Sequence, residues 1–219
     1  MIKYVPEDTS IVFSEIPDEI TLAINISNCP GSCPGCHSPY LQTDTGEELT
    51  AEVLGCLISE NTGITCVSFM GEGKDKEALL SLAQYVRNET GLKTALYSGR
   101  WEVEDDYNAY FDYIKIGPYI AEKGPLNKIT TNQVLYQILP DGERFDITFK
   151  FWRSLDSVAK FELTDDIEHA KKIRKGLERN KAKYGEKYCP CRLDHTPDTI
   201  CPCLEYRETG ECHCKLFKK

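Results

Sequence analysis

No stretch of this 219-residue chain approaches the ~20 consecutive apolar residues that a membrane crossing needs. Its first residues, MIKYVPEDTSIVF, lack the apolar run of an export signal. A cytoplasmic protein with no membrane partner is expected. Internal repeats and low-complexity tracts are missing as well. So is any surplus of positive charge: 26 Lys and Arg face 35 Asp and Glu, a net charge of −9. Nucleic acid is a poor partner for such a chain, because affinity for it comes mainly from neutralising phosphates. Hydrophobic residues make up 41%, enough for a packed core, which excludes wholesale disorder.

The charge that is present lies unevenly. Residues 171 to 219 carry 13 Lys and Arg against 7 Asp and Glu, a balance of +6, whereas residues 1 to 170 carry 13 against 28, a balance of −15. The basic end offers a surface for an acidic partner. Eleven cysteines are present, and nine fall in two groups. One is Cys29, Cys33 and Cys36; the other is Cys189, Cys191, Cys201, Cys203, Cys212 and Cys214. In a reducing compartment, clustered thiols point to metal ligands or redox centres rather than structural bridges. Cys56 and Cys66 fall on an expected helix and strand and are read as core residues.

Ile20–Ile26, Ile64–Met70, Lys93–Tyr97, Tyr113–Ile116 and Gln133–Leu139 read as strands from their β-branched and aromatic content. Helices are expected over Ala51–Glu60, with Thr50 as cap, and over Asp75–Asn88, closed by Gly91. Asp146–Trp152 is read as an edge strand and 153–162 as a link between modules. Thr164 is expected to cap a basic helix running to Tyr184 and stopped by Gly185. Alternating strands and helices imply parallel βα units, with polar and glycine loops at the strand ends where such sheets place their sites. About 140 residues are too few for a complete eight-fold barrel. An open, partial (β/α) barrel over 1–152 is expected, followed by a small, mainly helical module over 163–219.

The first cysteine group has the spacing C-x3-C-x2-C directly after a strand, in NCPGSCPGCHSPY. Three thiolates can hold three irons of a cubane and leave the fourth open, as a catalytic site requires. This loop resembles that of the radical S-adenosylmethionine superfamily. Cys33-Pro34-Gly35-Cys36-His37-Ser38-Pro39, Met70-Gly71-Glu72-Gly73, Tyr97-Ser98-Gly99, Gly117-Pro118-Tyr119 and Asn132-Gln133 together resemble the activating protein of the anaerobic (class III) ribonucleotide reductase. The likeness implies an α/β fold of the radical S-adenosylmethionine type and a [4Fe-4S] cluster on Cys29, Cys33 and Cys36. It also implies S-adenosylmethionine contacts from Gly71, Glu72, Ser98 and Lys115, although Met70 and Gly73 depart from the family's Gly-Gly-[Asp/Glu]-Pro loop. The implied reaction is reductive cleavage of the cofactor to abstract hydrogen from a glycine of the reductase large subunit. The alternative for this loop is a zinc knuckle completed by His37.

The second group reads C-P-C, nine residues, C-P-C, eight residues, C-H-C. Cysteines one residue apart are awkward for a single tetrahedral zinc, and six thiols divide naturally into four cluster ligands and one redox pair. The segment LERNKAKYGEKYCPCRL, with the following CPC and CHC, resembles the catalytic chain of ferredoxin:thioredoxin reductase from about Leu163 to Phe217. That resemblance implies a second [4Fe-4S] cluster on Cys189, Cys201, Cys203 and Cys212. It implies an adjacent disulfide between Cys191 and Cys214, with His213 assisting proton transfer and Cys191 attacking the target. Ferredoxin delivers single electrons and disulfide reduction needs two, which a cluster beside a disulfide reconciles. The run from Lys171 to Lys187, with 8 Lys and Arg against 2 Glu, is either a solvated helix face or a docking surface for acidic ferredoxin. His169 is expected to face solvent.

Together these resemblances imply a glycyl-radical activase joined to a reductase of a thioredoxin- or glutaredoxin-type protein. The alternatives are an activase of another glycyl radical enzyme whose C-terminal cluster relays electrons, or a zinc-binding interaction protein without catalysis.

Overall fold

Two short strands, Lys3–Tyr4 (β1) and Ser10–Val12 (β2), contain too few residues for an apolar period to register. The next, Thr21–Asn25 (β3), has four consecutive buried residues, the pattern of a strand covered on both faces. The computed structural model describes residues 1–31, 33–128, 130–152 and 161–218. The chain divides into two compact units, Met1–Trp152 and Arg153–Lys219. Of the expected link, residues 153–160 lie outside the described residues.

In the first unit Glu47–Glu48 (β4) pairs antiparallel with β1. Ala51–Glu60 (α1) follows; its cap Thr50 accepts a hydrogen bond from the Val53 amide, satisfying one orphan donor of the first turn. Cys66–Met70 (β5) leads to Lys76–Tyr85 (α2), capped by Asp75, whose carboxylate accepts from the Ala78 amide. The helix runs on as a π turn over Val86–Thr90 before Gly91 ends it. Lys93–Tyr97 (β6), Tyr113–Ile116 (β7), Val134–Ile138 (β8) and Arg144–Asp146 (β9) complete the sheet.

The seven strands lie in the order β2-β3-β5-β6-β7-β8-β9. The central four, β3, β5, β6 and β7, are parallel; β2, β8 and β9 pair antiparallel. No helix is found among the described residues between β7 and β8, so that connection departs from the βα alternation expected of the sequence. Asp146–Trp152 is not the edge strand: pairing ends at Asp146, and Thr148–Trp152 is a 3-10 turn, because the Asp146 carboxylate accepts from the Thr148 amide and turns the chain. Leu22, Ile24, Val67, Phe69, Leu96 and Ile114 from the sheet pack with Leu54 of α1 and Leu79 of α2 as one apolar core.

The register positions the loops. Asn25 pairs with Met70, Met70 with Tyr97, and Tyr97 with Lys115 in a line across the parallel strands. Because those strands share one direction, the Cys29–Cys36 loop, Gly71-Glu72-Gly73, Ser98-Gly99 and Gly117 all emerge at one edge of the sheet.

The second unit is built on Ile167–Tyr184 (α3), whose buried Ala170, Ile173 and Leu177 form a single stripe. Asp166, not Thr164, is its cap: the Asp166 carboxylate accepts from the His169 amide at 2.9 Å. Gly185 ends the helix in a left-handed conformation with φ of 89°. The only other α-helix among its described residues is Leu204–Thr209 (α4). The rest is loop, one short 3-10 turn and isolated bridges pairing Tyr188 with Ile200 and Leu163 with Phe217. Tyr206 of α4 stacks on Phe217 with centroids 4.7 Å apart, and its hydroxyl accepts from the Phe161 amide, which fixes α4 to the module's small core. No described helix of the chain is long and apolar enough to cross a membrane.

Candidate functional site: two cysteine clusters

At the C-terminal edge of the parallel strands, the Asn28 amide donates to Thr43 O and the Cys29 amide to Leu41 O, anchoring the start of the cysteine loop. Cys29, Cys33 and Cys36 are all half-buried free thiols. Two glycines mark how closely the backbone approaches them. A Cβ on Gly31 would lie 3.4 Å from Cys29 Sγ and 3.7 Å from Cys33 Sγ, and one on Gly99 would lie 3.8 Å from Cys33 Sγ. The strand-end loop after β6 therefore faces Cys33. Burial pushes the Cys29 thiol up, and the negative charges of Cys33, Cys36 and Glu72 add to this.

Glu72, Ser98 and Lys115 stand around the same edge, but not as a free binding set. Ser98 and Arg100 Nε donate to Glu72 Oε1, and Arg100 and Tyr107 donate to Oε2. Those four donors fill the roughly four acceptor positions of a carboxylate, so a ligand amine would have to displace one. Gly71 has φ of 128°, and a Cβ there would come within 3.0 Å of Ile26 O. Its backbone conformation and close packing against β3 are reason enough for glycine. Lys115 is only 7% exposed and donates to Gly117 O at 2.8 Å. Burial lowers its ammonium to about 8, while Cys33, Glu15 and Cys29 pull the other way. A cleft of about 470 Å³ opens beside Gly117, lined among others by Trp101, Glu102, Asn132 and Arg144. Asn132 Oδ1 is buried without a hydrogen-bond partner. Arg100, which organises Glu72, carries no motif; its position two residues past Ser98 was the one available signal.

In the second unit, the Cys189 amide donates to Thr199 O and the Cys201 amide to Lys187 O, which lays the two C-P-C segments side by side. Cys203 is the residue before α4, and the helix leads through Gly210 back to Cys212. The thiols of Cys189, Cys191 and Cys214 all lie within 4.8 Å of one another, the one such group of three among the described residues. Cys189 and Cys214 are the closest, with sulfurs 2.9 Å apart and both residues buried; Cys191 is exposed. All three are free, so the expected Cys191–Cys214 pair is adjacent but not bridged.

Mutual proximity shapes the remaining thiols. Burial raises Cys201 well above the usual thiol value, reinforced by Cys189, Cys212 and Cys203. Cys203 is raised by its contact with Cys189 and then by burial. Contact with Cys203 lowers Cys189, but contact with Cys214 and burial outweigh it, and the net shift is upward. Several thiols that resist ionisation through burial and through one another's proximity form a donor set that a cation relieves, with release of their protons. An all-sulfur set of this kind suits iron–sulfur clusters or zinc.

His213 is exposed, with Nδ1 3.9 Å from Glu205 Oε1. His169 does not face solvent as expected: it is half-buried, and its Nε2 lies 2.6 Å from Cys214 O, so that nitrogen is the donor. Sequence spacing gave no hint of a contact across 45 residues. Cys66 is buried, whereas Cys56 is exposed on α1 and is not a core residue.

Residues 140–219 match the family model of the ferredoxin thioredoxin reductase catalytic beta chain. The match begins before the second unit, at the end of the sheet. Similar proteins include the ferredoxin-thioredoxin reductase catalytic chains of Guillardia theta, 37% identical over 60 residues, and Porphyra purpurea, 46% identical over 54. The chloroplastic chain of Arabidopsis thaliana is 44% identical over 54 residues. These segments cover 24%, 20% and 20% of this chain and 59%, 44% and 36% of the relatives, so the chain spans about half the length of the curated relatives it matches. No solved structure matches the chain.

Proposed function

We propose that the C-terminal unit is an iron–sulfur disulfide reductase that passes electrons from ferredoxin to the disulfide of a thioredoxin- or glutaredoxin-type protein. One observation carries this: the buried thiol of Cys189 lies against that of Cys214, with the exposed Cys191 in the same group of three. A cluster ligand touching one member of a redox pair, whose other member faces solvent, is the arrangement that two-electron disulfide chemistry fed by single electrons needs. The family match over residues 140–219 supports the same reading.

Cys189, Cys201, Cys203 and Cys212 would hold the cluster. Their thiols crowd one another, and cubane corners are spread more widely than the ligands of a single ion. When bound, a four-iron cluster supplies electrons one at a time. Cys191, the accessible thiol, attacks the target disulfide to form a mixed disulfide, and Cys214 then attacks Cys191, closing the Cys191–Cys214 disulfide and releasing the target as its dithiol. His213 beside Glu205 is placed to move a proton at that surface. The basic face of α3 would receive the acidic donor. The test is reduction of oxidised thioredoxin by the anaerobically reconstituted chain with photoreduced ferredoxin. Activity lost in Cys191→Ser and Cys214→Ser supports the reading. A colourless protein holding zinc, with no turnover, would sink it and favour a non-catalytic module.

We infer for the N-terminal unit a radical S-adenosylmethionine activase of an open (β/α) type, acting on the anaerobic ribonucleotide reductase large subunit. What favours it is the gathering of the Cys29–Cys36 loop, Gly99 and Lys115 at one sheet edge, beside a cleft. Three thiols there fit a cluster with one open iron, which would hold S-adenosylmethionine. Chromatographic detection of 5′-deoxyadenosine after adding S-adenosylmethionine and dithionite tests it. Its absence from the wild-type chain loaded with iron would overturn it.

A further inference from the structure

We propose that Leu193 is a fixed apolar knob that seats a protein disulfide, rather than a small-molecule one, against Cys191. The inference rests on the disulfide-reductase reading of the second unit and names how that site selects its substrate.

Leu193 is 99% exposed, the most exposed large apolar side chain of the described residues. Single exposed leucines are ordinary on protein surfaces; this one is distinguished by how its loop is held. On one side, the Arg192 amide donates to Cys189 O at 3.1 Å, and the Arg192 guanidinium pairs with Glu205 of the anchored helix α4. On the other side, Thr199 donates from its hydroxyl to Asp194 O at 2.9 Å. The ring of His195 stacks on Tyr184 with centroids 3.9 Å apart and meets Tyr188 at 5.1 Å. Backbone and side chains are thus pinned before and after Leu193, while its own side chain is left in water. A backbone already held on both sides has little freedom to lose on binding, which leaves only the leucine's own rotamers to be ordered.

Its place gives it an occupant. Leu193 follows the exposed Cys191 by two residues, a reach of at most ~7 Å. Both residues are exposed, so a protein that docks its disulfide on Cys191 brings its surface within that reach of Leu193, whereas a small disulfide need only meet the sulfur. The partner that fits is a protein dithiol carrier with an apolar notch beside its disulfide.

The transfer balances without a further reactant. Cys191 thiolate attacks one target sulfur, forming a mixed disulfide and releasing the other as a thiolate, which takes a proton. Cys214 thiolate then attacks Cys191, closing the Cys191–Cys214 disulfide and releasing the second target thiol. Two electrons and two protons pass to the target. Two one-electron deliveries from ferredoxin and two protons from solvent restore the dithiol.

The experiment compares the reconstituted full chain with Leu193→Ala and Leu193→Asp, each driven by reduced ferredoxin. The substrates are oxidised thioredoxin and 5,5′-dithiobis(2-nitrobenzoate). The ratio of kcat/KM for thioredoxin to that for the small disulfide is expected to fall about tenfold in Leu193→Ala and further in Leu193→Asp, through KM for thioredoxin. An unchanged ratio in both variants overturns the knob while leaving the reductase reading intact. A wild-type chain that reduces neither substrate overturns the reductase reading and the knob with it.

Discussion

Arg100 shows what one side chain can settle. It grips Glu72 with two nitrogens on the inner side and Glu104 on the outer side, four residues along the chain. Glu72 is 11% exposed at its side chain, so removing its partner leaves a carboxylate mostly out of water. Arg100→Met is expected to cost ~1–3 kcal/mol, less than a fully buried pair because Arg100 itself is partly solvated; urea unfolding would read it. The outer partner predicts a pH dependence. The Arg100 guanidinium holds Glu104 down to about 2. A carboxylate depressed in the folded state stabilises fully above its ordinary value, and that contribution is lost as pH falls through about 2. Acid titration of the melting temperature should therefore be shallower in Glu104→Gln over that interval. An unchanged slope would show that solvent screens the pair. The inner contact was not legible in the sequence, because Arg100 and Glu72 lie 28 residues apart with no shared period.

Elements explain what could be read. Strand ends and helix caps are local, and Thr50, Asp75 and Gly185 carry their signals within four residues of the bond they make. Cysteine spacing is local too, which is why both clusters stood out. Thr164 and Asp166 compete for one cap, and only the geometry of the first turn decides between them. Close approach between elements leaves a fainter mark. Gly176 lies inside α3, where glycine costs about 1 kcal/mol relative to alanine. A Cβ there would come within 2.8 Å of Pro190 Cβ, between Cys189 and Cys191. Gly176→Ala should therefore fail to deliver the usual gain of helix propensity. It is expected to lower the melting temperature and weaken iron retention by displacing Pro190. A stabilised variant with full iron content would mean that Pro190 moves freely and the packing constrains nothing.

At the scale of the whole molecule, two thiol clusters of different design share one chain. The first has three half-buried thiols beside a buried lysine; the second has six, several of them raised by burial and by their neighbours. Ligand number separates their chemistry: three thiolates leave a metal position open, whereas four close it and leave two thiols for exchange. This distinction predicts how iron divides. The full chain, reconstituted without oxygen, should hold about eight irons, falling to about four in Cys29→Ser/Cys33→Ser/Cys36→Ser and again to about four in Cys201→Ser/Cys203→Ser/Cys212→Ser. S-adenosylmethionine should perturb the cluster's electron paramagnetic resonance signal only where the first group is intact, since an open iron is needed to meet it. Iron lost from both groups by either triple substitution would mean that the clusters stand or fall together. Zinc in the second group and iron in the first would separate the activase reading from the reductase one. That outcome would leave the exposed Cys191 and its pinned neighbour without a redox partner.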